Sequence, residues 1–189
     1  YEYIFNTEGK KTRALLSLLS SKSTKIKPSE RIGLASIIEL LHTATLVHDD
    51  VVDGSEVRRG SKSVNQVWTN SYSVLIGDFI YSKAFILMVK IGIPSILDEL
   101  AKATNDIERG EIIQLELSEK KESIKLTELL KVSYLKTGRL FEASAKTGAM
   151  LAEKSSEEIK SFGLLGRSLG TAFQIQDDIL DYACLLYTS

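Results

Sequence analysis

The sequence predicts an all-α protein. Apolar residues recur at three- and four-residue spacing over long stretches, alternating β-type runs are few, and proline occurs only at Pro28 and Pro94. With 189 residues, 43% of them hydrophobic, the chain can bury one good core and leaves little room for a second. Taken in order, Gly9-Lys10-Lys11-Thr12-Arg13 places basic groups at a helix start. Pro28-Ser29-Glu30 reads as a first helical turn, with proline where its missing N–H costs nothing and an acid near the positive end of the dipole. That helix runs to about Asp53. A loop over 54–62 follows, then helices over 70–91, 95–117, 127–153 and 156–182, with an exposed, Lys-, Glu- and Ser-rich connector at 118–125. Within the 127–153 helix, Lys136-Thr137-Gly138 interrupts a helix-favouring stretch. Ser155 with Glu158 three residues on is a capping-box pattern for the last helix. There Gly163, Gly166 and Gly170 fall near one face, which predicts close packing against a neighbour.

The 24 basic and 25 acidic residues leave a net charge of −1, so no overall field draws nucleic acid or an anionic membrane. Any anion site is local. One cysteine, Cys184, excludes an internal disulfide and suits a reducing compartment. Tyr1-Glu2-Tyr3 does not open a signal peptide. The most apolar stretch, 74–93, is broken by Asp78, Lys83 and Lys90 and reads as a buried helix instead of a transmembrane segment. A cytoplasmic protein is expected.

Asp-Asp-x-x-Asp occurs twice, as Asp49-Asp50-Val51-Val52-Asp53 and Asp177-Asp178-Ile179-Leu180-Asp181, each among apolar neighbours. On a helix the outer aspartates of each motif share a face and the middle one sits about 100° round, so three oxygens are expected to converge on one rim. Carboxylates that close repel one another and call for hard cations such as Mg²⁺. The first cluster lies at the negative end of its helix, which sharpens that need. Mg²⁺ favours a few carboxylates plus substrate phosphate oxygens, so two facing clusters suggest a phosphate-bearing substrate held between them.

Arg58-Arg59-Gly60 follows the first cluster, and paired guanidinium forks could grip a diphosphate, although an arginine pair alone is more often solvated surface. The same holds for Lys10 and Arg13, which a helix N-terminus could turn into an anion site. His42 stands two helical turns before Asp49 on the same face, a place open to either a ligand or a structural histidine. Lys136 facing such a cavity would stay charged and could contact a leaving diphosphate. Gln174 stands one turn ahead of the second cluster.

The run His42-Thr43-Ala44-Thr45-Leu46-Val47-His48-Asp49-Asp50-Val51-Val52-Asp53, with Arg58-Arg59-Gly60, closely resembles the first aspartate-rich region of the trans-polyprenyl diphosphate synthases. Phe173-Gln174-Ile175-Gln176-Asp177-Asp178-Ile179-Leu180-Asp181 resembles their second. Gly9-Lys10-Lys11-Thr12-Arg13, Gly77-Asp78, Gly110-Glu111 with Gln114, and Lys136-Thr137 fall in the order of that family. The resemblance covers roughly 9–182 and implies an isoprenoid-synthase-type helical bundle around a central cavity, usually a homodimer, that joins isopentenyl diphosphate to an allylic diphosphate. It implies Mg²⁺ on Asp49, Asp50, Asp53, Asp177, Asp178 and Asp181. Arg58 and Lys136 would bind the allylic diphosphate, and Lys10, Arg13, His42 and Arg59 the isopentenyl diphosphate. Thr137 and Gln174 would face the developing allylic cation.

Thr45 and Ala44, four and five positions before the first aspartate, would point down the helix into the space for the growing tail. Short-chain members commonly close that space with aromatics. Small residues here imply a longer product, such as an octaprenyl or other quinone-tail chain. The bundle is expected to be truncated at both ends relative to the family, with 1–182 as a single partial domain. The segment 183–189 fits nothing in the family and resembles a translated library adapter. Three other readings stand beside this one: a non-catalytic subunit of a heteromeric prenyl synthase, a terpene cyclase, and an HD-type metal-dependent phosphohydrolase built on His42, His48, Asp49 and a later Asp. The cyclase normally pairs one Asp motif with an Asn/Ser/Glu motif, and the phosphohydrolase leaves the second Asp motif unused.

Overall fold

The computed structural model describes residues 9–58, 61–120 and 123–188, with side chains for 9–56, 62–120 and 123–180. Helix α1 spans Thr12–Ser20 and α2 spans Pro28–Val52; a two-residue antiparallel hairpin follows, β1 Val57–Arg58 with β2 Ser61–Lys62, Val57 opposite Lys62. After the short α3, Val64–Val67, come α4 Asn70–Ile91, α5 Pro94–Ser118 and α6 Leu126–Ser133. A π-helical turn, Tyr134–Gly138, leads into α7 Arg139–Leu151, and α8 covers Ser156–Thr188.

Local chemistry sets the helix starts. In three of them a glutamate in the first turn reaches back to an unpaired backbone N–H: Glu30 to Lys27 at 3.1 Å, Glu128 to Lys125 at 3.0 Å and Glu158 to Ser155 at 2.9 Å. At α8 the box is complete, because the Ser155 hydroxyl accepts from the Glu158 N–H at 3.3 Å. Helix α4 begins with Thr69, whose hydroxyl accepts from Tyr72 N, and stops at Gly92 in the left-handed conformation, φ 69°.

The unbroken helix expected over 127–153 is instead divided by the π turn, where the Arg139 N–H reaches back five residues to the Tyr134 carbonyl. Helix α8 crosses there so closely that a Cβ on Gly138 would lie 2.7 Å from Thr171 Oγ1. Tyr134 is pinned as well: its hydroxyl donates to Glu142 at 2.7 Å and Arg167 lies over its ring at 4.3 Å. The expected close packing of α8 holds at Gly170, where a Cβ would sit 2.8 Å from Gly138 Cα, and at Gly166, 2.9 Å from Glu142 Cα. Gly163 makes only ordinary contact. The last helix also continues through 183–188, residues that the sequence set apart as an unrelated tail.

Helix α2 is the spine. Leu34, Ile37, Ile38 and Leu41 are fully buried against Ala84 and Met88 of α4, Leu100 and Ala103 of α5, and Ala143 of α7. A second cluster, Leu16, Phe141 and Ala145 with Phe162 and Phe173, joins α1 and α8 to α7. Burying Phe141 alone contributes roughly 2–3 kcal/mol. Helix α5 is tied to α7 by buried and half-buried ions: Glu99 accepts from Arg139 at 2.8 Å and Lys146 at 2.6 Å, and Asp106 accepts from Arg139 at 2.7 Å. Among the described residues no helix is long and apolar enough to cross a membrane. Helix α4, expected to be buried, buries only one face; Leu75, Phe79, Ile86 and Val89 form an exposed apolar stripe on the other.

Candidate active site

The bundle encloses a cavity of about 1020 Å³. Lys10, Lys11 and Arg13 line it at the start of α1. Helix α2 contributes His42, Thr45 and Asp49 at helical spacing, with Asp53 just past its end. Glu111 and Gln114 come from α5, Lys136 and Thr137 from the π turn, and Phe173, Gln174, Asp177 and Asp178 from α8. Residues distant in sequence thus line one space.

At the basic end, Lys11 takes a left-handed conformation, φ 45° and ψ 38°, immediately before α1. A non-glycine residue is strained there by about 1–3 kcal/mol, and such strain is characteristic of functional sites. The first turn of α1 is held by Glu39 of α2, whose carboxylate accepts from the Ala14 N–H at 3.2 Å. Arg13 stacks on Phe141 at 4.5 Å and lies 3.0 Å from His42 Nε2. Arginine can only donate, so His42 accepts through Nε2 and its proton sits on Nδ1.

Across the cavity, Lys136 Nζ contacts Glu111 Oε2 at 2.7 Å and donates to Gln114 Oε1 at 2.9 Å. Burial pushes the Glu111 carboxyl up; the Lys136 hydrogen bond and charge oppose the shift, while Asp53 and Glu108 reinforce it. Thr137 Oγ1 donates to Gln174 Oε1 at 2.6 Å, and Gln174 Nε2 donates to Asp178 at 2.7 Å.

The lining carries more carboxylates than cations, with Glu39, Asp49, Asp53, Glu111, Asp177 and Asp178 against Lys10, Lys11, Arg13 and Lys136. Asp49 and Asp53 of α2 line the same cavity as Asp177 and Asp178 of α8. Among the described residues no three acidic, histidine or cysteine side chains approach closely enough to hold an ion by themselves, so the expected three-oxygen rim does not form within the first motif. Hard oxygen donors, a pair from each motif, fit Mg²⁺, which takes a few carboxylates and completes its shell with water and substrate phosphate.

Two expected site residues are placed elsewhere. Asp50 is buried, 1% exposed, and does not line the cavity; one residue beyond Asp49 it has rotated about 100° away. Its carbonyl accepts from Ser55 N and Asn65 Nδ2, which fixes the loop after α2. Ala44 is likewise turned from Thr45, into a cluster with Val47, Val64 and Ile80. Only Thr45 of that pair reaches the cavity. Arg59 and the side chains of Arg58 and Asp181 lie outside the described residues. Sequence reasoning passed over Glu39 and Lys11; the spacing of Glu39 from His42 on α2 was the available signal. His48 does not line the cavity: it turns to α4, with Nε2 3.2 Å from the Val74 carbonyl and 3.4 Å from Asp78. The His42, His48 and Asp49 grouping of a phosphohydrolase is therefore not assembled.

A family model for polyprenyl synthetase matches residues 1–187. The octaprenyl diphosphate synthase of Escherichia coli K12 is 42% identical over 180 residues, 95% of this chain and 55% of that protein. The geranyl-diphosphate-specific all-trans-nonaprenyl-diphosphate synthase of Rhodobacter capsulatus is 39% identical over 186 residues, 96% of this chain and 55% of its own length. Among solved structures, a polyprenyl synthase from Caulobacter crescentus CB15, complexed with calcium and isoprenyl diphosphate, superposes with a TM-score of 0.92 at 36% identity, over 96% of this chain and 55% of that one. The chain spans about half the length of the curated relatives it matches.

Proposed function

Because the chain belongs to the polyprenyl synthetase family, we propose that the protein joins isopentenyl diphosphate to an allylic diphosphate and repeats the step to make a long all-trans polyprenyl diphosphate. The observation that carries the reading is the cavity itself, lined by an aspartate pair from each motif and with a separate basic end.

The allylic diphosphate lies between Asp49 and Asp53 on α2 and Asp177 and Asp178 on α8, its phosphate oxygens against Lys136. These aspartates, with Asp181 as a further ligand, would hold magnesium, which when bound would supply positive charge to the departing diphosphate. Arg58 is proposed as a further ligand of the allylic diphosphate. As the allylic C–O bond breaks, its electron pair stays on the diphosphate, and the Lys136 ammonium stabilises the charge that develops there. Thr137 and Gln174 present oxygens toward the allylic cation. Isopentenyl diphosphate is held at the other end by Lys10, Arg13 and His42, and Arg59 is proposed as a further ligand of it. Its double bond attacks the cation to form the new C–C bond, and the proton then lost passes to the released diphosphate. The apolar walls keep water from quenching the cation first.

A long product is supported by the small Thr45 on the cavity wall and by relatives named for octaprenyl and nonaprenyl products. A quinone side chain is the end use proposed. The exposed stripe of Leu75, Phe79, Ile86 and Val89 on α4 supports a homodimer, since an apolar face of that extent favours burial against a second copy. A single cysteine supports a cytoplasmic location. The test is incubation of the protein with labelled isopentenyl diphosphate, an allylic primer and Mg²⁺, followed by chromatography. A ladder of prenyl products ending at long chains is expected; no labelled prenyl product would overturn the reading.

A further inference from the structure

We infer that Glu111 and Gln114 of α5 are positioning residues that aim Lys136 into the cavity, in a socket that requires glycine at position 110. The inference rests on the prenyl-transfer reading and adds to it a determinant of how the allylic diphosphate is gripped.

A lysine side chain has four rotatable bonds and is a poor point donor unless something fixes its end. Here the ammonium has three N–H groups, and two of them are engaged, one by Glu111 Oε2 at 2.7 Å and one by Gln114 Oε1 at 2.9 Å. The third is left for the cavity that Lys136 lines. Both members of the ion pair are largely buried, with 18% and 15% exposure, so their contact is little screened by solvent. Glu111 and Gln114, three apart on α5, share one helical face toward the π turn. Gly110 allows that approach: a Cβ there would lie 2.9 Å from Leu135 Cβ, 3.0 Å from Lys136 N and 3.1 Å from Lys136 Cγ. Any side chain at 110 must push the π turn, and Lys136 with it, away from α5. The Glu99 and Asp106 pairs with Arg139 hold α5 against the start of α7 and keep the two halves of the socket in register.

The carboxylate also has an electrostatic cost, because it stands beside the place where an anion would bind. A carboxylate placed there is costly for anion binding unless it does something else, and fixing the ammonium is what its geometry provides.

The experiment is a double-mutant cycle on the full protein, Glu111→Ala and Lys136→Ala singly and together, with steady-state constants measured separately for the allylic and the isopentenyl diphosphate. Thermal melts of each variant report folding. Glu111→Ala is expected to lower kcat/KM for the allylic substrate roughly tenfold, the size of a charge-assisted hydrogen bond. KM for isopentenyl diphosphate should stay unchanged, and Glu111→Ala should have no further effect in the Lys136→Ala background. Gly110→Ala, whose carboxylate is intact, should reproduce the allylic defect. Equal losses in both backgrounds, an equal rise in KM for both substrates, or no loss in either variant would each overturn the inference. An inactive wild-type protein would instead overturn the prenyl-transfer reading, and the two failures are thus distinct.

Discussion

The Thr137 hydroxyl donates to the Gln174 side-chain oxygen at 2.6 Å, and this bond fixes which way the amide points. Asp178 can only accept while ionised, so Gln174 must turn its NH₂ toward that carboxylate, 2.7 Å away, and its oxygen toward Thr137. A side chain on the π turn thereby orients a carboxylate of the second aspartate cluster on α8. Thr137→Val keeps the shape and removes the donor, leaving the Gln174 oxygen without that partner. Turnover should fall roughly threefold to tenfold, with Thr137→Ser close to wild type. Steady-state rates and melting curves of the two variants check this.

The parts of this arrangement that were legible in the sequence are those set by neighbours along the chain. Pro28-Ser29-Glu30 and the Ser155 and Glu158 box are local devices, and both helix starts fall where they indicate. The aspartate pairs could be read because i and i+4 share a face whatever the tertiary structure. Distinguishing Asp49 from Asp50, or Thr45 from Ala44, requires knowing which side of α2 meets α4, and that is decided by packing. The π turn was visible only as a weak interruption at Lys136-Thr137-Gly138, because the approach of α8 at Gly138 and Gly170 comes from a segment about thirty residues further on. The Glu39 bond to Ala14 and the Glu111 contact with Lys136 are likewise non-local.

Ala44 has no free space around it, being fully buried among Val47, Val64 and Ile80. Ala44→Phe should overpack the α2–α4 interface and cost about 1–3 kcal/mol. Thr45→Phe, by contrast, projects into the cavity and should shorten the prenyl product. Denaturant melts and product chromatography on the pair separate the two effects.

Removing the guanidinium from Arg139 leaves Asp106 unpaired and Glu99, 5% exposed, with Lys146 alone. Arg139→Met should cost about 1–3 kcal/mol, because the buried Glu99 loses one of its two cationic partners. Chemical denaturation would show it, and a second change of Glu99→Gln should recover part of the loss.

Glu158 is held below its ordinary carboxyl value first by the Ser155 N–H and then by the Ser155 hydroxyl. A depressed folded value contributes stability that is present above the unfolded value of 4.5 and is lost as pH falls through the folded one. Glu158→Gln should therefore melt below wild type at neutral pH, and the gap should close on acidification below the carboxylate range. Melting curves across pH 7 to 2.5 test the sign; a gap that widens in acid would contradict it.

The central claim is that the aspartate pairs of the two motifs activate a diphosphate for carbon–carbon bond formation. The most direct measurement is the ratio of diphosphate released to labelled isopentenyl units incorporated, for wild type, Asp49→Asn and Asp177→Asn, with Mg²⁺ present. One diphosphate should appear for each unit added, and either substitution should lower both quantities together by at least about a hundredfold. Diphosphate or phosphate released without incorporation, or a variant at near-wild-type rate, would contradict the account.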